Sequence, residues 1–161
     1  MISEKLQNAI NDQIAAEMWS SNLYLSMSFF LSKEGYDGFA TWMMKQSKEE
    51  LDHAYALAEY VIKRGGEAKV CQIDTVPQEW GSPLEVFEHV YKHECHVSDL
   101  INALVDVASE VKDKPSQDFL WGYVREQVEE EASAQNIVEK LKRCNDHSGI
   151  LFLDEKLGQR K

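Results

Sequence analysis

The chain has 161 residues, of which 28% are charged and 43% hydrophobic, and its formal net charge is −11. This length suffices for the core of one domain. The acidic balance argues against nucleic acid and against an anionic membrane surface as partners, because both carry negative charge themselves. It is compatible with a protein that concentrates cations.

The cysteines and the N-terminus predict a cytoplasmic protein. Cys71, Cys95 and Cys144 lie far apart without a Cys-x-x-Cys pair, which indicates free thiols in a reducing compartment. The first residues show no charged-then-apolar signal pattern, and no segment approaches the roughly 18 apolar residues of a membrane span. We predict a single domain over residues 1–161, with no membrane partner.

The first two predicted elements are long helices joined by a short turn. They run over about Ser3–Lys33 and Phe39–Arg64, and each carries inward residues at alternating spacings of three and four. Gly35–Gly38 predicts the turn between them, and Gly65–Gly66 predicts the end of the second helix. Because the turn is short, we expect the two helices to pack antiparallel.

Two further long helices and a short one follow. Ser82 as the N-cap and Pro83 at the first helical position predict the start of the third helix. The fourth begins after the break at Asp113–Ser116 and runs to about Cys144, which puts the bundle over about residues 3–144. A short fifth helix is predicted over about Gly149–Leu157. Its apolar run must bury against the bundle or another subunit.

The connection between the second and third helices determines the topology. Residues 67–81 number about 15, enough to span roughly 50 Å when extended, whereas the long helices measure about 40 Å. We therefore predict one long crossover that makes the second and third helices parallel. The fold class is all-α, namely the ferritin-like variant of the four-helix bundle with a short fifth C-terminal helix.

Five residues of types that commonly bind metals lie on the inward stripes of these four helices. They are Glu17, Glu50, His53, Glu94 and Glu130. Burying a carboxylate without a partner costs several kcal/mol, so charged groups at equal height on four helices predict a buried cation site. Four carboxylates would balance two divalent cations. Oxygen ligands with one imidazole suit iron or manganese and leave zinc possible.

The spacing also suggests how the ligands divide between the two metals. Glu50 and His53 lie one helical turn apart, so we expect Glu50 to bridge the metals. Glu17 and His53 would complete one metal, and Glu94 and Glu130 the other. Tyr24, two turns after Glu17, either donates a hydrogen bond to a ligand carboxylate or is an ordinary core aromatic residue.

A second acidic group lies one position away from the inward stripes. It consists of Glu49, Glu126 and Glu129. From spacing alone it is either a third metal site or a solvated run of charge. A cluster of three histidines on the third helix, His89, His93 and His96, is expected to be solvated.

With these residues in place, the chain resembles the bacterial non-haem ferritins over nearly its whole length. The resemblance is carried by Glu17 with Tyr24 and by the runs Lys48–His53, Tyr91–Glu94 and Glu126–Glu131. It implies a ferroxidase centre in each subunit, a homo-oligomeric cage of 24 subunits, and storage of ferric mineral. It implies ferrous iron and O₂ or H₂O₂ as substrates.

The resemblance also implies ligand sets. The first metal would use Glu17, Glu50 and His53; the second would use Glu50, Glu94 and Glu130, with Gln127 nearby; the third iron would use Glu49, Glu126, Glu129 and Glu130. Haem is not expected, because Leu51 occupies the position that matches the haem-binding methionine of bacterioferritins.

Three alternatives stay open. One is a di-iron peroxidase or oxygenase, although the second Glu-x-x-His typical of those enzymes is replaced here by Gln127 and Glu130. Another is a storage shell without catalysis, which would lack the ferroxidase ligands. The last is a metal-free helical bundle of the cytokine type, which would need two long crossovers.

Overall fold

The computed structural model describes all residues, Met1–Lys161. It contains five helices and no strands. They are α1 (Glu4–Lys33), α2 (Asp37–Lys63), α3 (Pro83–Glu110), α4 (Lys114–Lys142) and α5 (His147–Leu157). The all-α four-helix bundle with a short C-terminal helix is therefore confirmed. No helix combines the length and apolarity that crossing a membrane requires.

Most helices begin at a side chain that caps the first turn. Ser3, Ser82, Asp113 and Asp146 each accept a hydrogen bond from the backbone amide three residues ahead. Such caps satisfy amide groups that lack a partner within the helix. The predicted start of α3 at Ser82 and Pro83 is thus confirmed.

The starts of α2 and α5 each lie two residues before the approximate positions predicted, and both involve contacts of α5. Gly38 was assigned to the turn but lies inside α2, which begins at Asp37. The position needs a glycine because α5 packs so closely that a Cβ atom there would lie 1.7 Å from the Asp154 carbonyl oxygen. The Phe39 amide also donates to Asp154 Oδ1 at 2.8 Å. α5 itself begins at His147 rather than Gly149, because Asp146 Oδ1 accepts from the Gly149 amide at 3.0 Å.

The long connection between α2 and α3 contains no helix or strand and runs along α1. Side chains of α1 anchor it in order. Asn11 bonds to the backbone of Glu67 and Lys69, Trp19 Nε1 donates to the Thr75 carbonyl, and Ser26 bonds to the Pro77 carbonyl. α3 then runs in the same direction as α2, which is the crossover topology that the sequence predicted.

The interior has two apolar clusters separated by a polar layer. One cluster includes Tyr24, Met27 and Phe87. The other, nearer the N-terminus of α1, includes Leu6 and Leu57. Between them the inward positions carry carboxylate, amide and imidazole groups. At mid-height, all four long helices therefore turn polar rather than apolar side chains towards the interior.

Candidate metal centre

The polar layer collects the residues that the sequence singled out. Its members are Gln13 and Glu17 from α1, Gln46, Glu50 and His53 from α2, Glu94 from α3, and Gln127 and Glu130 from α4. The side chains of Glu17, Glu50 and Glu94 are almost completely shielded from solvent, with residue exposures of 1%, 3% and 1%. Carboxylates are seldom buried to this degree unless they are paired or coordinate a metal.

Three of these side chains form a compact group. Glu17, Glu50 and His53 offer ligand atoms that all lie within 4.8 Å of one another. His53 Nδ1 lies 3.8 Å from Glu17 Oε2 and 3.5 Å from Glu50 Oε2. No other cluster of carboxylate, imidazole or thiol groups in the chain is as compact.

One oxygen in this group lacks a hydrogen bond. Glu17 Oε1 accepts from Gln13 Nε2 at 3.0 Å, but Glu17 Oε2 is buried and has no hydrogen-bond partner. A buried acceptor without a partner carries its full desolvation cost. A cation held between Glu17, Glu50 and His53 would satisfy that oxygen, so the donor set fits a metal ion.

The residues of the group shift one another's pKa values. Burial raises the pKa of Glu50 well above its usual value, and the charges of Glu17 and Glu94 add to the rise. Burial also opposes ionisation of Glu17, but His53 and Gln13 outweigh it and lower the pKa of Glu17. Burial alone would lower the pKa of His53, yet the neighbouring carboxylates of Glu126, Glu17 and Glu50 raise it overall.

Glu94 is held by two neighbours on other helices. The Tyr24 hydroxyl donates to Glu94 Oε1, and Gln127 Nε2 donates to Glu94 Oε2 at 3.0 Å. Burial raises the pKa of Glu94 to about 7, against the lowering effect of these two bonds. Of the two sequence alternatives for Tyr24, the structure thus favours the hydrogen bond to a candidate ligand.

Glu130 and Glu94 stand outside the compact group. Glu130 Oε2 accepts from Gln46 Nε2 at 3.1 Å, a partner that sequence reasoning missed. Burial raises the pKa of Glu130. Gln46 lies one helical turn before Glu50 in the sequence, so an amide at that spacing from an inward carboxylate was the available signal.

The members of the second acidic group contact different residues. Glu126 Oε1 lies 2.9 Å from His53 Nε2, and Glu49 Oε1 accepts from Arg160 Nη2 at 2.9 Å. Glu129 is exposed to solvent. Sequence reasoning missed Arg160 because 111 residues separate it from Glu49.

The prediction of a solvated histidine cluster was wrong for His93. This side chain is buried, and its Nε2 atom lies 2.9 Å from the Ser20 hydroxyl oxygen. Burial, together with the charges of His89 and His96, lowers its pKa to about 4. The His93 ring also lies 5.6 Å from the Trp19 ring, and the contact with Ser20 satisfies a ring nitrogen that burial removes from water.

Comparison with known proteins gives consistent matches. A family model described as a Ferritin-like domain matches residues 7–144. A bacterial non-heme ferritin of Bacteroides fragilis (strain 638R) is 70% identical over 160 residues, covering 99% of this chain and 100% of that protein. A bacterial non-heme ferritin of Campylobacter jejuni is 36% identical over 153 residues, covering 95% and 92%.

A solved structure matches along the whole chain. The open pore ferritin of the archaeon Archaeoglobus fulgidus is 48% identical, covers 100% of both chains and superposes with a TM-score of 0.97. At this identity the similarity extends beyond the fold alone.

Proposed function

The chain belongs to the ferritin family, whose members store iron, and on that premise we propose that its polar layer is a ferroxidase centre. Ferrous iron is the substrate, and ferric iron passes on to the stored mineral. The observation that carries the proposal is the buried Glu17 Oε2, an acceptor without a partner beside Glu50 and His53. A divalent cation is the partner that such a donor set suits.

Each ligand has a defined role in this proposal. Glu17, Glu50 and His53 bind the first iron, and Glu50 bridges to a second iron bound by Glu94 and Glu130. Tyr24 and Gln127 orient the Glu94 carboxylate by the bonds described above. Glu126 accepts a hydrogen bond from the Nε2–H group of His53. The other ring nitrogen, Nδ1, faces Glu17 and Glu50 and binds the metal.

The reaction balances with either oxidant. Two ferrous ions give one electron each to O₂, which takes up two protons and leaves as H₂O₂. With H₂O₂ as the oxidant, the same two electrons and two protons yield two water molecules. The negative carboxylates stabilise the higher charge of ferric iron, which favours oxidation within the layer.

We extend the proposal to a third iron site and to the assembly. Glu49, Glu126, Glu129 and Glu130 would bind the third iron on its way to the mineral. The chain would assemble into a hollow shell of 24 copies. Large apolar side chains that a monomer leaves exposed support self-association, among them Phe29, Ile62, Val128 and Phe152. Sedimentation velocity tests the assembly, and a monomeric species at micromolar concentration would contradict it.

The ferroxidase proposal is tested by removing the bridging carboxylate. Wild-type protein and the Glu50→Ala variant are titrated with ferrous iron without oxygen, then mixed rapidly with air-saturated buffer. We expect wild-type protein to bind at least two ferrous ions per chain and to oxidise them in a fast phase. Glu50→Ala should slow that phase by at least about tenfold.

A matched control uses an exposed carboxylate on the same helix. Glu59 is exposed on α2, so Glu59→Ala removes the same charge without touching the polar layer. It should oxidise iron at the wild-type rate. If Glu50→Ala also did so, the site assignment would be wrong. If wild-type protein bound no ferrous iron, the chain would be a non-catalytic shell.

A further inference from the structure

The C-terminal tail returns to the bundle and places an arginine against the second acidic group. Arg160 lies three residues after Leu157, the last residue of α5, and its side chain contacts α2. Its Nη2 atom donates to Gln46 Oε1 at 2.6 Å and to Glu49 Oε1 at 2.9 Å. Its Nη1 atom donates to the Trp42 carbonyl at 3.2 Å, and the guanidinium lies 4.7 Å from the centre of the Trp42 ring.

The docking of α5 fixes the position of this arginine. Gly38 and Gly158 touch so closely that a Cβ on Gly38 would lie 3.1 Å from the Gly158 amide nitrogen. Asp154 Oδ1 holds the Phe39 amide at the same contact. Arg160 is therefore two residues from a rigid anchor, and the side chain of this penultimate residue is only 20% exposed.

The contacts of Arg160 involve two of the four carboxylates proposed for the third iron. Glu49 is bound by the guanidinium directly. Glu130 is bound through Gln46, whose amide oxygen accepts from Arg160 while its Nε2 atom donates to Glu130 at 3.1 Å. Displacing the guanidinium would free Glu49 and would release the Gln46 amide that holds Glu130. A planar fork with fixed donor directions suits this double contact better than an ammonium group would.

We propose that Arg160 is an internal counter-ion that competes with the third iron for the Glu49 carboxylate in the second acidic group. This inference rests on the proposed function of that group. The guanidinium of Arg160 pairs with the Glu49 carboxylate, and an arriving divalent cation must displace the guanidinium. Because binding couplings are reciprocal, a cation at the third site releases the C-terminal tail, and a docked tail weakens cation binding at that site.

The experiment compares zinc binding to three full-length proteins, because Zn²⁺ does not change oxidation state. Wild type, Arg160→Gln and Lys161→Gln are titrated calorimetrically at the same ionic strength. Lys161 is the adjacent terminal residue, so its variant loses the same charge without the Glu49 contact. In Arg160→Gln we expect the third ion to bind about tenfold more tightly or better, since charge-assisted hydrogen bonds no longer compete.

The zinc ion held by Glu17, Glu50 and His53 should bind with the same affinity in all three proteins, and Lys161→Gln should match wild type throughout. Crystals of wild-type protein at saturating zinc provide a second measurement through anomalous scattering. A third zinc peak near Glu49 should coincide with loss of the guanidinium from between Glu49 and Gln46. Coexistence of that peak with the undisturbed Arg160 contact would overturn the proposal.

The outcomes separate this inference from the proposed function. Two tight ions with an identical third affinity in wild type and Arg160→Gln would overturn the role of Arg160 and leave the dinuclear centre standing. Two tightly bound ions and no third ion in either protein would also overturn the role of Arg160 and leave the dinuclear centre standing. Absence of the two tight ions in all three proteins would overturn the ferroxidase centre, and the inference with it.

Discussion

Individual side chains in the polar layer are arranged to bind cations, and this arrangement lowers the stability of the fold. Glu50 is the clearest case, since it is buried to 3% exposure between Glu17 and His53. Its pKa is raised well above the usual value, chiefly by burial. An acid with a raised folded-state pKa destabilises the fold once the pH passes its unfolded value, because ionisation is then favoured in the unfolded chain.

We therefore predict that Glu50→Gln raises the thermal stability of metal-free protein at neutral pH. Glutamine keeps the shape of the protonated acid and removes the cost of burying a second negative charge beside Glu17. The expected rise in Tm is about 2–4 °C, equivalent to roughly 1 kcal/mol in a domain of this size. Calorimetric melting in the presence of a chelator measures it.

The control for this prediction is the exposed carboxylate variant Glu59→Gln on the same helix, whose Tm should stay within about 1 °C of wild type. Both variants must be compared at equal protein concentration, since assembly makes Tm concentration-dependent. A Tm for Glu50→Gln below that of wild type would mean that the Glu50 carboxylate stabilises the fold rather than straining it.

The attachment of α5 to α2 depends on a glycine that has no side chain to obstruct it. At Gly38 a Cβ would overlap the Asp154 carbonyl oxygen, whereas at Gly122, inside α4, no heavy atom lies within 4 Å. Alanine has the higher helix propensity by up to about 1 kcal/mol. The same substitution should thus have opposite effects at the two positions.

We predict that Gly122→Ala stabilises the protein by roughly 0.5–1 kcal/mol, whereas Gly38→Ala destabilises it by about 1–3 kcal/mol. Hydrogen exchange should locate the second effect. In Gly38→Ala, amides of α5 should exchange faster while those in the middle of α1 keep their protection. Equal exchange of α5 amides in both variants would show that the contact at Gly38 does not hold α5.

A partly buried ion pair joins the end of α2 to the start of α4. Arg64 Nη1 and Nη2 donate to the two carboxylate oxygens of Asp113, each at 2.9 Å. Asp113 also caps α4 by accepting from the Ser116 amide at 3.0 Å. The bonds from Arg64 are the main cause that lowers the pKa of Asp113 from 3.8 to about 2. The pair fixes the fold at the end opposite to α5.

The pH dependence of this pair follows from the direction of the shift. A carboxyl with a lowered folded-state pKa adds stability above its unfolded value, and that stability is lost as the pH falls towards the folded value. We predict that Asp113→Asn destabilises the protein by about 1–3 kcal/mol at neutral pH. The difference from wild type should shrink between pH 4 and 2. Urea unfolding at several pH values measures it, and a difference that is constant over this window would contradict the assignment.

Much of the architecture was predictable because it rests on local periodicity and chain length. Alternating spacings of three and four gave the four long helices, and the length of segment 67–81 gave the crossover. Glu17, Glu50 and His53 were predictable as a group for the same reason, since each lies on an apolar stripe at mid-helix.

What the sequence could not predict depends on contacts between distant segments. Arg160 meets Glu49 only because α5 folds back on α2, and Gly38 marks that contact rather than a turn. Likewise His93 is buried because Ser20 and Trp19 of α1 face it across the bundle. A stripe shows which face of a helix is inward, but not which partner helix supplies the hydrogen bond.

The molecule as a whole combines a layer of buried carboxylates with a net charge of −11, and both features favour cations. A ligand that binds the folded chain and not the unfolded one stabilises it by mass action. At a free zinc concentration 100 times the dissociation constant, the gain is about 2.7 kcal/mol for one site. We therefore predict that zinc raises the Tm by about 5–10 °C, and that excess chelator reverses the rise.

The Glu50→Gln variant makes this prediction specific to the polar layer. It should melt higher than wild type in chelator but gain much less from zinc, because the proposed bridging ligand has lost its charge. Glu59→Gln should gain as much as wild type. Potassium chloride at matched ionic strength controls for screening of the surface charge. An equal gain from zinc in Glu50→Gln and wild type would mean that the cation stabilises the protein from a surface site and not from between Glu17 and His53.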